Sequence, residues 1–394
     1  MNTQFPDLGH EVPEITATEL KRRLDAGEAW TLLDTRRPAD FAAWQLRHPN
    51  LRAVNVPFTA FLDGDDPARD VPAGVPPRDA DRPLVTCCAK GISSLYVAEF
   101  LAREGWDVYG LADGMEGWAR LYESRELAAE GVDTDGATVV QYHRPSSGCL
   151  AYLVVSGGEA LVVDPLRAFA DRYVSDARDY EADVVVVADT HVHADHVSGV
   201  RAVASATGAD LVLPDGVRDR GLAFDATLLA DGDTVAVGDT SVEAVALPGH
   251  TTEMTGYRVG DVLLAGDSVF LDSVARPDLE DADPEAVERA AATLFETVRA
   301  LASMPDGTLV APNHAGPETR PRDDGTYTAR VGDLRESLAA VSLPREEFVA
   351  YVTDDLPPRP NEHERIIAAN LGHEDVDDGE AFELELGPNN CAAG

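Results

Sequence analysis

The run THVHADHVSG at residues 190–199 constrains this chain more than any other segment. It follows VVVVA at 184–188, an apolar stretch of strand length. A strand that runs into His191, His193, Asp195 and His196 sets four candidate metal ligands on one short loop. Imidazole and carboxylate at that density suit a divalent transition metal. Further on, His250 follows the strand VEAVAL in a PGHT turn, Asp267 ends the strand VLLAGD, and His314 ends TLVAPNH. Each of these alone could be a hydrogen-bonded structural residue. Their joint placement at strand ends, where open α/β architectures set their ligands, points to a metal site.

The length of 394 residues suits two domains, each with its own core. Asp and Glu number 71 against 32 Lys and Arg, a formal net charge of −39, and Lys21 and Lys90 are the only lysines. So acidic a chain repels nucleic acid phosphates and anionic lipid, so neither nucleic acid nor membrane is expected as a partner. It reads as a halophilic surface, where carboxylates hold water and their repulsion is screened. The 4 cysteines, Cys87, Cys88, Cys149 and Cys391, cannot form a disulfide framework. Residues 1–14 show no basic stretch followed by an apolar one, and no apolar run is long enough to span a bilayer, so a cytoplasmic location is expected.

Two composition breaks organise the chain. Residues 63–82 are rich in Asp, Pro and Gly and read as a surface loop, and the polar, acidic stretch 124–138 reads as a linker. Before it, a helix over 17–26 with Thr16 as N-cap, strands at 30–34, 83–87 and 107–111, and a helix over 93–104 argue a small α/β domain with a parallel sheet. After it, strands fall at 150–155, 159–163, 184–188, 211–214, 241–246, 254–259, 262–265 and 309–312. Helices fall at 167–180, 197–207 and 284–302. This pattern suggests two packed sheets with helices outside, and 334–370 reads as a tail that packs back on that second domain.

The first domain carries its own chemistry. TCCAKGISS at 86–94 reads as strand, cysteine, glycine-containing turn and helix. Such a loop wraps N–H groups around sulfur, and the helix adds its positive end, so a thiolate or persulfide anion is stabilised. Cys88 is the candidate nucleophile, with Gly91 and Ser94 following it. Cys87 reads as a small buried residue at the strand end. Cys149 reads as a core residue at a strand start or as a wall of the substrate pocket. His143 is placed near the site entrance, and His10, His48, His363 and His373 read as surface.

These motifs carry two family resemblances. The run His191–His196 followed by His250, Asp267 and His314 resembles the metallo-β-lactamase superfamily signature, from about residue 139 to 314, with a tail to 370. That implies an αββα sandwich with the metal site at one edge of the sheets. LLDTRRPADFAAWQLRHPNLRAVNVPF at 32–58, GWDVYGLADGMEGWARLYE at 105–123 and the loop Cys88–Ser93 resemble rhodanese domains, with Asp34, Arg36, Gly114 and Trp118 in the matching places. Many rhodaneses carry Arg at the positions of Ala89 and Ser93, so thiosulfate is no more expected as donor than a persulfide. The organisation expected is a rhodanese-like domain over 14–123, a linker over 124–138, a metal domain over 139–320 and a tail over 321–394.

Within the superfamily, residues 141–165, 247–252 and 266–278 resemble persulfide dioxygenases. That resemblance implies one Fe(II) held by His191, His250 and Asp267, with three positions open and with His193, Asp195, His196 and His314 around them. The implied reaction oxidises a low-molecular-weight thiol persulfide with dioxygen to sulfite and thiol, with Cys88 exchanging sulfur with thiosulfate, sulfite or thiol. Cys88 and Asp195 are the candidate catalytic residues. Glyoxalase II-like thioesterases share every one of the metal ligands and imply two Zn(II): one on His191, His193, His250 and Asp267, the other on Asp195, His196, Asp267 and His314. A homodimer stays open.

Overall fold

The computed structural model describes residues 8–387, apart from 65, 80, 317 and 355, and the backbone of 392–393; Cys391 lies outside the described residues. The chain divides into two compact units, one running to Leu121 and including Arg144–Ser147, the other built from Tyr122–His143 and everything from Gly148. The architecture is α/β in both, with a parallel sheet in the first.

The first unit has a five-stranded sheet in the order Glu14–Ile15, Val108–Leu111, Leu84–Cys87, Trp30–Asp34, Leu51–Asn55, each pair parallel. The helix Ala17–Asp25 begins at Thr16, whose Oγ1 accepts the Glu19 N–H. That cap and the burial of Leu20 and Leu24 fix the helix where the sequence pattern placed it. Ile92–Arg103 packs Val97, Ala98, Phe100 and Leu101 into the core and starts at Gly91, in the left-handed region at φ 78°.

The second unit stacks two sheets. One has seven strands, ordered Thr227–Leu229, Asp210–Pro214, Asp183–Ala188, Glu159–Val163, Leu150–Ser156, Thr138–His143, Glu123–Glu126. The other has six, ordered Thr234–Val237, Thr240–Ala246, Thr255–Val259, Val262–Gly266, Leu309–Pro312, Ala329–Arg330. Tyr152, Val154, Leu161 and Val163 from the first meet Val242, Ala244, Tyr257 and Leu264 from the second in one buried layer. Complete burial of a side chain such as Leu264 contributes about 1.5–3 kcal/mol. Helices Ala170–Asp179 and Val200–Thr207 cover one outer face, and Pro284–Ala302 with tail helices Val331–Ser337 and Arg345–Thr353 covers the other.

Three local features differ from the sequence pattern. Glu123–Glu126, of which all but the first residue falls in the stretch read as linker, forms the edge strand of the seven-stranded sheet, antiparallel to Thr138–His143. Its alternation is hidden because an edge strand needs no apolar face on its solvent side. The helix expected from 197 begins at Val200, because 197–199 belong to the histidine loop. The helix expected from 167 opens with a single 3₁₀ turn, Arg167–Phe169. No helix among the described residues is long and apolar enough to cross a membrane.

Candidate metal centre and thiol site

Strand ends of the second unit bring the metal-type side chains together. His191 and its neighbours leave the strand Asp183–Ala188, Asp267 follows Val262–Gly266, and His314 follows Leu309–Pro312. His250 sits in the turn after Thr240–Ala246. A side chain on Gly266 would sit 2.7 Å from Met254 Sδ and 2.9 Å from Thr190 Oγ1 at a φ of +55°, so only glycine lets Asp267 enter the site.

One ligand atom each from His191, His250 and Asp267 lies within 4.8 Å of the others, and all three residues are buried. Asp267 Oδ2 is 3.9 Å from His191 Nε2 and 3.7 Å from His250 Nε2. The far side of each ligand is anchored. His250 Nδ1 donates to the Arg276 carbonyl at 2.8 Å, so Nε2 carries the lone pair. His191 Nδ1 lies 2.9 Å from Thr190 Oγ1, whose hydroxyl donates to Asp164 Oδ1 at 3.1 Å. That relay makes Nδ1 the protonated nitrogen and turns the lone pair of Nε2 inward. Asp267 Oδ1 receives His314 Nδ1 at 2.8 Å.

Burial holds the His191 imidazole well below its usual pKa, and burial outweighs Asp267 to lower that of His250. Burial alone would raise Asp267, yet the adjacent His314 brings it below the usual carboxylate range. Two neutral imidazoles and one carboxylate are the protonation states that a cation requires. His191 Nε2 and Asp267 Oδ2 are buried without a hydrogen-bond partner. Leaving such atoms unsatisfied is costly unless a ligand takes them, so the donor set fits a divalent cation.

The other candidate ligands gather on Asp195. Its Oδ2 receives His314 Nε2 at 3.0 Å, His196 Nδ1 at 3.2 Å and the Cys149 thiol at 3.2 Å. His314 therefore has both ring nitrogens engaged by carboxylates. His193 Nε2 is 2.9 Å from Asp164 Oδ1, and its Nδ1 and His196 Nε2 are buried without partners. Cys149, Asp195 and His196 form a second buried group with ligand atoms within 4.8 Å of one another and Asp164, Asp189 and His193 a third, in which burial raises the Asp189 carboxyl to about 6. His143 ends up in the strand Thr138–His143, its ring 4.7 Å from that of Tyr327.

Several residues here escaped the sequence reading. Asp164 holds the Thr190 N–H at 2.7 Å from a left-handed backbone, φ 52°. Asn313 donates to Asp164 Oδ2 at 2.6 Å. Glu253 accepts the Val192 N–H at 2.9 Å and is itself held by Arg220 at 2.8 Å. A non-glycine residue at a strand-to-loop junction, VDP, is the only signal that could have marked Asp164.

The thiol site of the first unit is assembled from one stretch. Cys88 follows the strand Leu84–Cys87, and Ser94 Oγ lies 3.4 Å from its sulfur. Burial pushes the Cys88 thiol up, but bonds from the Ser93 and Ser94 hydroxyls and the Ser94 and Lys90 backbone bring it below the ordinary thiol value. Cys87 lies in the core, where burial raises its thiol well above that value. Met115 and Glu116 N–H groups bond the carbonyls of Cys88 and Ala89 at 2.9 and 3.0 Å. Lys90 pairs with Glu116 at 3.2 Å. Asp34 and Arg36 form a buried pair at 2.6 Å that also ties down the Trp44 carbonyl.

Residues 16–121 match the Rhodanese-like domain family, and residues 144–314 match the Metallo-beta-lactamase superfamily. A hydroxyacylglutathione hydrolase of Acidiphilium cryptum is 30% identical over 217 residues, covering 53% of this chain and 80% of the relative. The mouse persulfide dioxygenase ETHE1, mitochondrial, is 24% identical over 255 residues, covering 63% of this chain and 92% of the relative. The crystal structure of ETHE1 from Myxococcus xanthus superposes with a TM-score of 0.51 at 24% identity, over 64% of this chain and 100% of that one.

Proposed function

Because the chain belongs to the metallo-β-lactamase superfamily and carries a rhodanese-like domain as well, we propose that it oxidises a low-molecular-weight thiol persulfide and exchanges sulfur through Cys88. The overall change balances as R–S–SH + O₂ + H₂O → R–SH + SO₃²⁻ + 2 H⁺. His191, His250 and Asp267 would hold the cation. Fe(II) there would supply Lewis-acid and redox chemistry.

The chain's own groups do the rest. Thr190 and the Arg276 carbonyl orient the imidazoles, His314 orients the carboxylate, and burial keeps bulk water away from the donors. Asp195 ties His196, His314 and Cys149 into one network beside the donor triad. In the other unit, the Cys88 thiolate attacks the outer sulfur of R–S–SH. A new S–S bond forms on Cys88 as the old one breaks and R–S⁻ leaves, the outer sulfur keeping its proton. The Ser94 hydroxyl and the backbone amides stabilise both anions. Lys90 is paired with Glu116, so the loop offers little free positive charge to a dianion such as thiosulfate, which favours the persulfide as donor.

The observation that carries the one-cation reading is His314. With both ring nitrogens on carboxylates, it has none to offer a second ion unless that network opens. The second reading, a two-zinc thioester hydrolase, is supported by the Acidiphilium relative. Metal analysis of anaerobically prepared protein with oxygen uptake on a thiol persulfide separates the two. About one iron per chain and uptake are expected. An iron-replete sample that consumes no oxygen overturns the proposal, and two zinc ions with acyl-thiol hydrolysis establish the other.

A further inference from the structure

The histidine loop is irregular backbone in a buried place, so its N–H and C=O groups need partners from outside the loop. The Thr255 N–H reaches the Thr190 carbonyl and the Arg167 N–H that of Val197, both at 2.9 Å, and side chains provide others. Asp164 takes the Thr190 N–H and Glu253 the Val192 N–H. Further partners come from beyond residue 314, outside the segment that matches the superfamily. Glu385 Oε1 accepts the Val197 N–H at 3.0 Å. Asn370, the last residue of the helix His363–Asn370, accepts the Ser198 N–H at 2.8 Å. Its Nδ2 donates to the carbonyls of both His193 and His196 at 2.9 Å.

The same helix packs the spaces between the candidate ligands. Val192 is buried with Leu371, Ala194 against Ile367, and Val197 with Ile366 and Ala369. The loop thus turns its metal-type side chains one way and its apolar ones into the tail. We propose that Asn370 is a positioning residue of the metal centre, acting through the backbone between His193 and Ser198. A side-chain amide offers two donors and an acceptor on one flat group, which is what two carbonyls and one N–H require. Aspartate keeps the acceptor and would set an oxygen against both carbonyls. The inference rests on the cation-binding part of the proposed function and is indifferent to the metal's identity and to the oxidation.

The test uses full-length wild type, Asn370→Ala and Asn370→Asp, with Val352→Ala, in a different tail helix, as a control that loosens packing away from the loop. Co(II) affinity of apoprotein is measured by chelator competition, with the Co(II) d–d spectrum, thermal unfolding and Cys88 alkylation in parallel. Both Asn370 variants should weaken Co(II) binding on the order of 10–100-fold and shift the d–d bands. Val352→Ala should lower the melting temperature and leave the bands unmoved. Wild-type affinity and bands in Asn370→Ala overturn the proposal, as does Val352→Ala moving them equally. Should neither Asn370 variant fold, amide exchange in the wild type decides: slow exchange at Ser198 supports the clamp and rapid exchange overturns it. A wild type that binds Co(II) tightly but takes up no oxygen with persulfide after iron loading sinks the oxidation reading and leaves this one standing.

Discussion

The two candidate sites are built in opposite ways. The thiol site draws its nucleophile, its hydrogen-bond donors and its helix start from residues 88–94, and Met115 and Glu116 brace it through backbone bonds and the Lys90–Glu116 ion pair. The donor triad draws on strand ends far apart in the chain; His250 and Asp267 are each oriented by a residue from yet another segment, and His191 by its neighbour Thr190, itself bonded to the distant Asp164. A local site can keep its chemistry while the rest of its unit varies. A site made of distant pieces inherits every weakness of the fold that aligns them.

The sharpest test of that contrast is removal of one key atom from each. Cys88→Ser should reduce sulfur transfer to background while metal content stays at the wild-type level, as a transfer assay and metal analysis would report. Asp267→Ala should empty the donor set and leave Cys88 alkylation intact. If either change disables both activities in a folded protein, the division into two independent sites is wrong.

A smaller effect is expected one layer out. Thr190→Val keeps the shape but cuts the relay from His191 to Asp164, and chelator competition should show affinity reduced by about tenfold or more. In the first unit the matching change is Gly114→Ala. Its Cβ would lie 2.1 Å from the Cys88 carbonyl oxygen at a φ of +55°, so sulfur transfer should fall as the loop is pushed apart. Unchanged transfer in this variant would mean that the loop tolerates far more movement than its close contacts imply.

The smallest expected effect is a shift in pH dependence. The Cys88 thiol is held below its ordinary value, so the thiolate is present above that lowered midpoint and is lost as pH falls through it. Alkylation by iodoacetamide should therefore rise with pH through a midpoint under the ordinary thiol range. Ser94→Ala removes one of the stabilising bonds and should move the midpoint upward. A midpoint at or above the ordinary value in the wild type would contradict the loop's role.

Legibility in the sequence followed the same divide. The strand-turn-helix around Cys88 and the strand-loop of His191–His196 were readable because residue type and spacing lie side by side. That His191, His250 and Asp267 belong to one site was hinted at by their places at strand ends, but which of the candidate ligands share a cation came only through family resemblance, since nothing in spacing relates residues so distant. Asn313, Glu253 and Asn370 were not legible at all, and Asp164 only through its place at the VDP junction. Their value lies in hydrogen bonds made at places set by the finished fold, to loop backbone for Asp164, Glu253 and Asn370 and to the Asp164 carboxylate for Asn313. An asparagine ending a helix in the tail looks like any other. The edge strand Glu123–Glu126 was missed for a related reason, because its polar text serves pairing and not burial.

That strand bears on how the protein can be dissected. A fragment begun at residue 139, where the family likeness starts, would lose Glu123–Glu126 and leave the rest of the strand Thr138–His143 as a bare border with open N–H and C=O groups. It would also shed Tyr122, whose ring stacks on Phe169 at 4.1 Å and Tyr142 at 5.4 Å. Such a truncation is an invitation to self-association. A boundary just ahead of Tyr122 retains the seam and gives the metal-type half its best prospect of standing alone in solution.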